Sequence, residues 1–378
     1  MKKKTILMIS HSSNKTGGGE WDFQRLLEYF HNQGYYVYSV FPDGHKADYF
    51  KKLSNEFLVL PDNIFPFNEF NLRKYLYFSY ITIQKFTILF PFLNRIKNNF
   101  DACFVNSSAC LSEILALGIM NIPYTLSIKE VIHPGYVRRV INSYYRKTSN
   151  DVIVISEFIR NIVKDDFKGK EVSIIRSSIA DDDLAGISRN TSRSDNEFVI
   201  VNSGVITPIK NQELLIKAAA GLKTESNVKV SFIGRIEDKA YFEKLQTLAK
   251  SLPKGNIKII FEGEVSKKQA LDMECNSDLL VVTSKHEGMS LVIAEGLYFR
   301  VPVISTRTGV ALEVLKDGYN GFLFNENDVN KLRELIDEII ANKELREYIS
   351  NNQKDSYDKY FSFNYYLKEH ERILFRNG

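Results

Sequence analysis

Short runs of β-branched and other apolar residues alternate along the chain with longer stretches whose apolar positions recur every three to four residues. The first run, 5–10, is almost wholly apolar, as a strand buried on both faces requires. It leads through a glycine-rich turn into a predicted helix over 20–32. Further strands are predicted at 36–41, 57–60, 102–106, 124–128, 152–155 and 172–175, with a long aromatic stretch at 71–99. The pattern restarts at residue 197. Strands at 198–205, 228–233, 257–261, 279–283 and 301–305 alternate with helices at 212–222, 238–250, 267–275 and 290–299. Helices over 328–340 and 344–360 follow.

Strands separated by helical segments predict parallel sheets with helices on both faces, an α/β class. The stretch 181–196, DDDLAGISRNTSRSDN, is polar, rich in turn formers and without periodicity, so it reads as a linker. The expected division is a Rossmann-like domain at 1–180, a linker at 181–196, a second Rossmann-like domain at 197–358, and a C-terminal helix at 359–378 packing back on the first. In open parallel sheets ligands bind beyond the carboxyl ends of the strands, so two such sheets are expected to face one central cleft.

Composition narrows the class. The 378 residues are 44% hydrophobic and 25% charged, which excludes a disordered chain, a collagen-like fibre and a coiled-coil rod. Cys103, Cys110 and Cys275 have neither metal-type spacing nor the number for a disulfide framework. Residues 1–196 carry 25 basic and 20 acidic side chains and residues 197–378 carry 25 and 26, a bias too small to indicate nucleic acid. The opening MKKKTILMIS has an apolar run too short for a signal peptide. No stretch is expected to reach the ~20 apolar residues of a membrane span. A cytoplasmic protein is the resulting expectation, peripheral on the inner face of the membrane if it touches one.

Three elements carry chemistry. Gly17-Gly18-Gly19 follows the first strand and precedes a helix, where backbone N–H groups can approach an anion. It fits neither G-x-G-x-x-G nor G-x-x-x-x-G-K-[ST], which weakens a dinucleotide oxidoreductase or P-loop reading; a turn without a ligand is the alternative. Lys210 stands between a strand and a helix N-terminus, either a phosphate ligand or a solvated lysine. The sharpest element is TSKHEGMSLVIAEGLYFRVPVIST. Its first strand ends in a loop bearing Glu287 and Gly288, and Ser290 is placed to cap a helix to Phe299. The N–H groups of Met289, Ser290 and Leu291 form a second candidate anion site. Glu295 falls on or beside the apolar stripe of that helix, where a carboxylate must be paired or hydrogen-bonded. A ribose diol is one partner; Arg300 or Arg307 is the alternative.

Taken together, the blocks GGGE, VIVISEFIR, SGVITPIKNQELLIKA, IIFEGEV, the E-x7-E block and TGVALEVLKDGYNGFLF resemble, in order, the retaining family 4 glycosyltransferases of the GT-B fold, of bacterial polysaccharide and glycolipid type. The resemblance implies a metal-independent hexosyl- or N-acetylhexosaminyltransferase. It implies no cofactor, a UDP- or GDP-sugar donor and a saccharide or lipid-linked acceptor. Glu287 is then placed at the donor sugar, and Glu295 on the ribose. Lys210 and the amides of Met289, Ser290 and Leu291 are placed on the diphosphate. Lys210 and Glu287 are the catalytic pair. Gly263 to Val265 approach the base, and Gly18 and Gly19 approach the phosphate from the first domain.

The chain departs from the family in two places. The family's Gly-Arg is Gly204-Val205 here, and Arg235 is the candidate replacement cation. A family histidine near the reaction centre is absent; Lys129 or His133 takes its place at the sugar, or each is structural. These departures leave a second reading, a degenerate GT-B subunit that binds without catalysing. The stretch 71–99 has five basic residues, seven aromatics and no acid. Arg73, Lys74, Tyr75, Tyr77 and Lys85 are its candidates for contact with an anionic membrane; a helix pair packed on the first sheet is the alternative.

Overall fold

The computed structural model describes residues 3–14, 18–62, 72–129, 132, 135–190, 197–253 and 255–376. The chain divides into two units, one formed by Met1–Ser177 with Asn364–Gly378 and the other by Ser178–Phe363.

In the first unit the strands are β1 (Thr5–Ile9), β2 (Tyr36–Pro42), β3 (Glu56–Leu60), β4 (Ala102–Val105), β5 (Thr125–Ile128), β6 (Asp151–Val154) and β7 (Val172–Ile174). Among the described residues they form one parallel sheet in the order β3-β2-β1-β4-β5-β6-β7. The helices are α1 (Gly18–Asn32), α2 (Ala47–Leu53), α3 (Leu72–Ile96), α4 (Leu111–Ile119), α5 (Tyr136–Thr148) and α6 (Glu157–Val163). All five residues of β1 are buried, as expected of a strand covered by helices on both faces.

The second unit carries β8 (Glu197–Ser203), β9 (Asn227–Ile233), β10 (Ile257–Gly263), β11 (Leu279–Val282), β12 (Val303–Thr306) and β13 (Phe322–Phe324). Their order is β10-β9-β8-β11-β12-β13, again parallel. Its helices are α7 (Asp181–Leu184), α8 (Gln212–Ala219), α9 (Lys239–Lys250), α10 (Lys267–Cys275), α11 (Leu291–Phe299), α12 (Ala311–Val314), α13 (Val329–Ala341) and α14 (Lys343–Phe361). One apolar cluster joins Leu214, Leu245 and Leu335 to one face of the sheet; another joins Ile293, Leu297 and Phe361 to the opposite face. Strand order reverses between β1 and β4 and between β8 and β11, the positions at which such sheets bind ligands.

Two expected boundaries change. Residues 181–184 are a helical turn rather than linker: Ile179 and Leu184 are buried with Val201 and Ile233, so the second unit begins at Ser178. Residues 191–196 lie outside the described residues. The last helix, α15 (Phe363–Leu374), belongs to the first unit from Asn364 onward; Tyr29 donates to Glu371 at 2.6 Å, and Tyr35 donates to its other oxygen.

The aromatic stretch is one helix of 25 residues, not a pair, and, against the expectation that no stretch reaches a span, it is long and apolar enough to cross a membrane by length and composition. One face, including Phe78, Ile81, Leu89, Leu93 and Ile96, is buried. Lys85 is also on that face, 2.8 Å from Glu113 of α4, so its assignment to a membrane contact is wrong. On the opposite side Leu72, Leu76, Tyr77, Tyr80 and Ile83 are exposed by 58–68%. Arg73 and Lys74 are exposed and Tyr75 half-buried at the same end.

Candidate functional site

The site of the second unit is built where β8 and β11 end. β8 stops at Gly204, whose φ of +149° is glycine backbone and whose N–H donates to Ile233 O at 2.8 Å. Gly234 ends β9 in the same way; a Cβ there would stand 2.0 Å from the Gly204 carbonyl oxygen. Two bare backbones therefore meet at the floor of the loop. From Gly204 the chain turns, Lys210 N–H donating to Thr207 O at 3.0 Å, and enters α8. The Thr283 hydroxyl donates to Lys210 O at 2.8 Å, and Lys285 N–H donates to Ile209 O at 2.8 Å. These bonds lash the loop after β8 to the loop after β11.

The lashing brings Lys210 and Glu287 together. Lys210 Nζ lies 2.5 Å from Glu287 Oε2, and the Ser284 hydroxyl donates to the same oxygen at 2.9 Å. Both side chains are partly open to solvent. Glu287 N–H donates to Thr308 Oγ1 at 3.3 Å, and a Cβ on Gly309 would meet Glu287 O at 1.8 Å. Position 309 thus fits only a glycine beneath the Glu287 loop. Gly288 and Met289 follow, Met289 packing on the adjacent core. Ser290 is the N-cap of α11, as its sequence position predicts, but makes no side-chain capping bond. The first N–H groups of α11, led by Leu291, are left without that cap, so this terminus favours an anion.

Glu295 is 1% exposed. Gly296 beside it lets α11 settle onto the sheet: a Cβ there would come 2.4 Å from Val303 Cγ2. The partner of Glu295 is neither Arg300 nor Arg307 but Lys267, the first residue of α10, whose ammonium pairs with Oε1. Burial alone would lower the Lys267 pKa, but the charges of Glu295 and Glu274 prevail and raise it. Glu274, also on α10, is 1% exposed, and burial together with the neighbouring Glu295 charge pushes its pKa well up. Sequence reading missed Lys267 and Glu274. The signal was present for Glu274, which falls three residues after Leu271 on the buried stripe of α10.

The remaining candidates lie as follows. Gly263 ends β10 at a register shift with φ +75°, and its carbonyl accepts from Gly234 N–H at 2.8 Å. Val265 packs on the core. Arg235 pairs with Glu237 in its own loop. In the first unit, Gly18 and Gly19 open α1, and Gly17 and His133 lie outside the described residues. Lys129 is not a solvated surface lysine: its ammonium lies 3.0 Å from Asp22 Oδ2 and donates to Asn106 Oδ1 at 2.8 Å, with the side chain 8% exposed. The Ser177 hydroxyl donates to the same Asp22 oxygen at 2.7 Å, which makes Lys129 part of a buried polar network.

Residues 186–356, within the second unit, match the family model described as Glycosyl transferases group 1. An uncharacterized glycosyltransferase of Methanocaldococcus jannaschii is 26% identical over 249 residues, 65% of this chain and 66% of that protein. A second uncharacterized glycosyltransferase of the same organism is 24% identical over 386 residues, covering 91% of this chain and 97% of the relative. The crystal structure of HepE from Anabaena in complex with UDP and glucose matches with a TM-score of 0.75 at 18% identity, over 98% of each chain. The fold is therefore GT-B, built from two Rossmann-like parallel-sheet domains.

Proposed function

We propose that the protein is a retaining glycosyltransferase that moves a hexosyl or N-acetylhexosaminyl group from a UDP- or GDP-sugar to a saccharide or lipid-linked acceptor. The observation that carries this reading is the Lys210–Glu287 pair at the switch point of the second sheet, followed directly by the N-terminus of α11. The family match over 186–356 and the UDP and glucose of the Anabaena structure support it.

In this reading the donor diphosphate lies against Lys210 and the N–H groups of Met289, Ser290 and Leu291. Glu287 then turns from the lysine to the hydroxyls of the sugar. The acceptor oxygen bonds to the anomeric carbon on the face from which the diphosphate departs. The C–O bond to phosphate breaks with its electron pair on the leaving oxygen, which takes up the acceptor's proton. The positive charge of Lys210 and the α11 dipole stabilise the departing phosphate, so no divalent metal is required. Full loss of activity in chelator, restored by magnesium or manganese, contradicts this. Incubating the purified protein with UDP- and GDP-sugars and an acceptor, and following nucleotide release, tests the whole. Donor binding without turnover would instead indicate a non-catalytic GT-B subunit.

Glu295 is read as the ribose ligand. Glu295→Gln removes one charge-assisted acceptor and is expected to weaken binding of free UDP by about 1.5–3 kcal/mol, measured by calorimetry. Equal binding by wild type and variant overturns the role.

The exposed apolar side of α3, with Arg73 and Lys74 at its first turn, is read as a contact with an anionic membrane, which suits a lipid-linked acceptor at the cytoplasmic face. Each basic residue at such a surface contributes about 1 kcal/mol. Co-sedimentation with phosphatidylglycerol vesicles at low salt should fall at least tenfold in Arg73→Glu/Lys74→Glu, and equal binding removes the reading.

A further inference from the structure

Two buried carboxyl groups lie on adjacent helices of the second unit within the field of one ammonium, which pairs with only one of them. Glu295 of α11 and Glu274 of α10 are each 1% exposed. Lys267, whose side chain is 28% exposed, gives its ammonium to Glu295 Oε1. Oε2 of Glu274 is buried and finds no donor among the described residues. Ser203 at the end of β8 stands beside Glu274, and Asp183 of α7 acts on Lys267 from the other side. The elements packed most closely on α10 are α7, α11 and β8.

Charge arithmetic decides the protonation state. Lys267 balances one carboxylate, and a second buried and unpaired carboxylate costs several kcal/mol. A carboxyl whose oxygen lacks a donor beside another carboxylate is satisfied by taking up a proton and donating it. Lys267 differs from both acids in reaching solvent, so it can leave Glu295 without being stranded.

We propose that Glu274 is a positioning residue of the nucleotide site: held as a neutral acid against Glu295, it leaves that carboxylate a single negative charge, which Lys267 covers here and which the ribose hydroxyls of a nucleotide cover in its place. The proposal rests on the reading of Glu295 as the ribose ligand. Ionising Glu274 puts two negative charges on one lysine, holds Lys267 in place and opposes nucleotide entry. Nucleotide affinity therefore falls as pH rises through the ionisation of Glu274. Stability moves the same way, because the folded state holds a proton that the unfolded chain releases at lower pH.

The experiment is calorimetric titration of UDP into the full chain between pH 6 and 9, with wild type, Glu274→Gln, Glu274→Ala and Glu295→Gln, alongside thermal unfolding of each over the same range. Wild-type affinity is expected to fall by up to about tenfold per pH unit once Glu274 ionises. Glu274→Gln, a permanently neutral donor, should lose that slope and bind UDP more tightly than wild type at the alkaline end, whereas Glu274→Ala should bind weakly at every pH. A wild-type slope persisting in Glu274→Gln, with Glu295→Gln still weak, overturns the proposal and leaves the ribose reading standing. Tight UDP binding by Glu295→Gln sinks both. If no protein binds UDP, nor GDP titrated in the same way, the nucleotide reading fails, and with it the proposal; an alkaline fall in melting temperature shared by wild type and Glu274→Gln then also removes the neutral Glu274.

Discussion

If the protein transfers sugar as proposed, replacing Lys210 with alanine will slow that transfer by about a hundred- to a thousandfold, the usual cost of removing one preorganised charge from a developing anion. The lysine is held ready: its backbone is fixed by Thr207 and Thr283, and its ammonium rests on Glu287 at the mouth of the loop. In the proposed reaction its attraction to phosphate grows as the bond to sugar breaks, so the loss falls on kcat more than on donor affinity. Lys210→Arg should recover only part of the rate, because a planar fork replaces a point charge. Single-turnover measurement with saturating donor checks this, and an unchanged rate in Lys210→Ala removes the lysine from the reaction.

The second large effect is on stability. Lys85→Ala will destabilise the first unit by about 3–5 kcal/mol, because it leaves the Glu113 carboxylate buried without its counter-charge. The pair is 4% and 5% exposed, so solvent gives it little screening. Lys85→Met with Glu113→Leu removes both charges while keeping volume and should lie within about 1–2 kcal/mol of wild type. Urea unfolding of the wild type and the two variants separates a lost ion pair from a lost contact. A single variant as stable as the wild type would mean that water reaches Glu113.

Lys85 also shows where sequence stops informing. It stands in a stretch rich in apolar and aromatic residues and without a carboxylate, and Glu113 lies 28 residues away on another helix, so nothing local separates a buried lysine from a membrane-facing one. Lys267 was hidden for a similar reason: it opens a helix, where a lysine reads as solvated, and only packing of α10 on α11 delivers it to Glu295. The strands were legible because parallel strands covered on both faces are continuous apolar runs. Most predicted ends lie within two residues of the observed ones; the strand expected at 301–305 begins later because Pro302 has no N–H for the ladder. β13, of three residues, and the one-turn helix α12 were too short to impose a period. The loop of Glu287 was legible because the sequence places a charged residue and a glycine between a strand and a helix. Its pairing with Lys210 depends on the bonds between the two loops, which no spacing encodes.

The order in which the chain leaves the ribosome bears on how its first unit is finished. That unit takes its last helix from α15, separated from β7 by the whole of Ser178–Phe363, 186 residues. At 5–20 residues per second these take roughly 10–40 s to synthesise. Throughout that interval Tyr29 and Tyr35 have been made but Glu371, to which both donate, has not. Phe30 and Tyr35 likewise wait for Phe375, whose ring packs 6.2 and 5.3 Å from theirs. The first sheet is thus complete in its strands for many seconds before the helix that packs on Tyr29, Phe30 and Tyr35 exists.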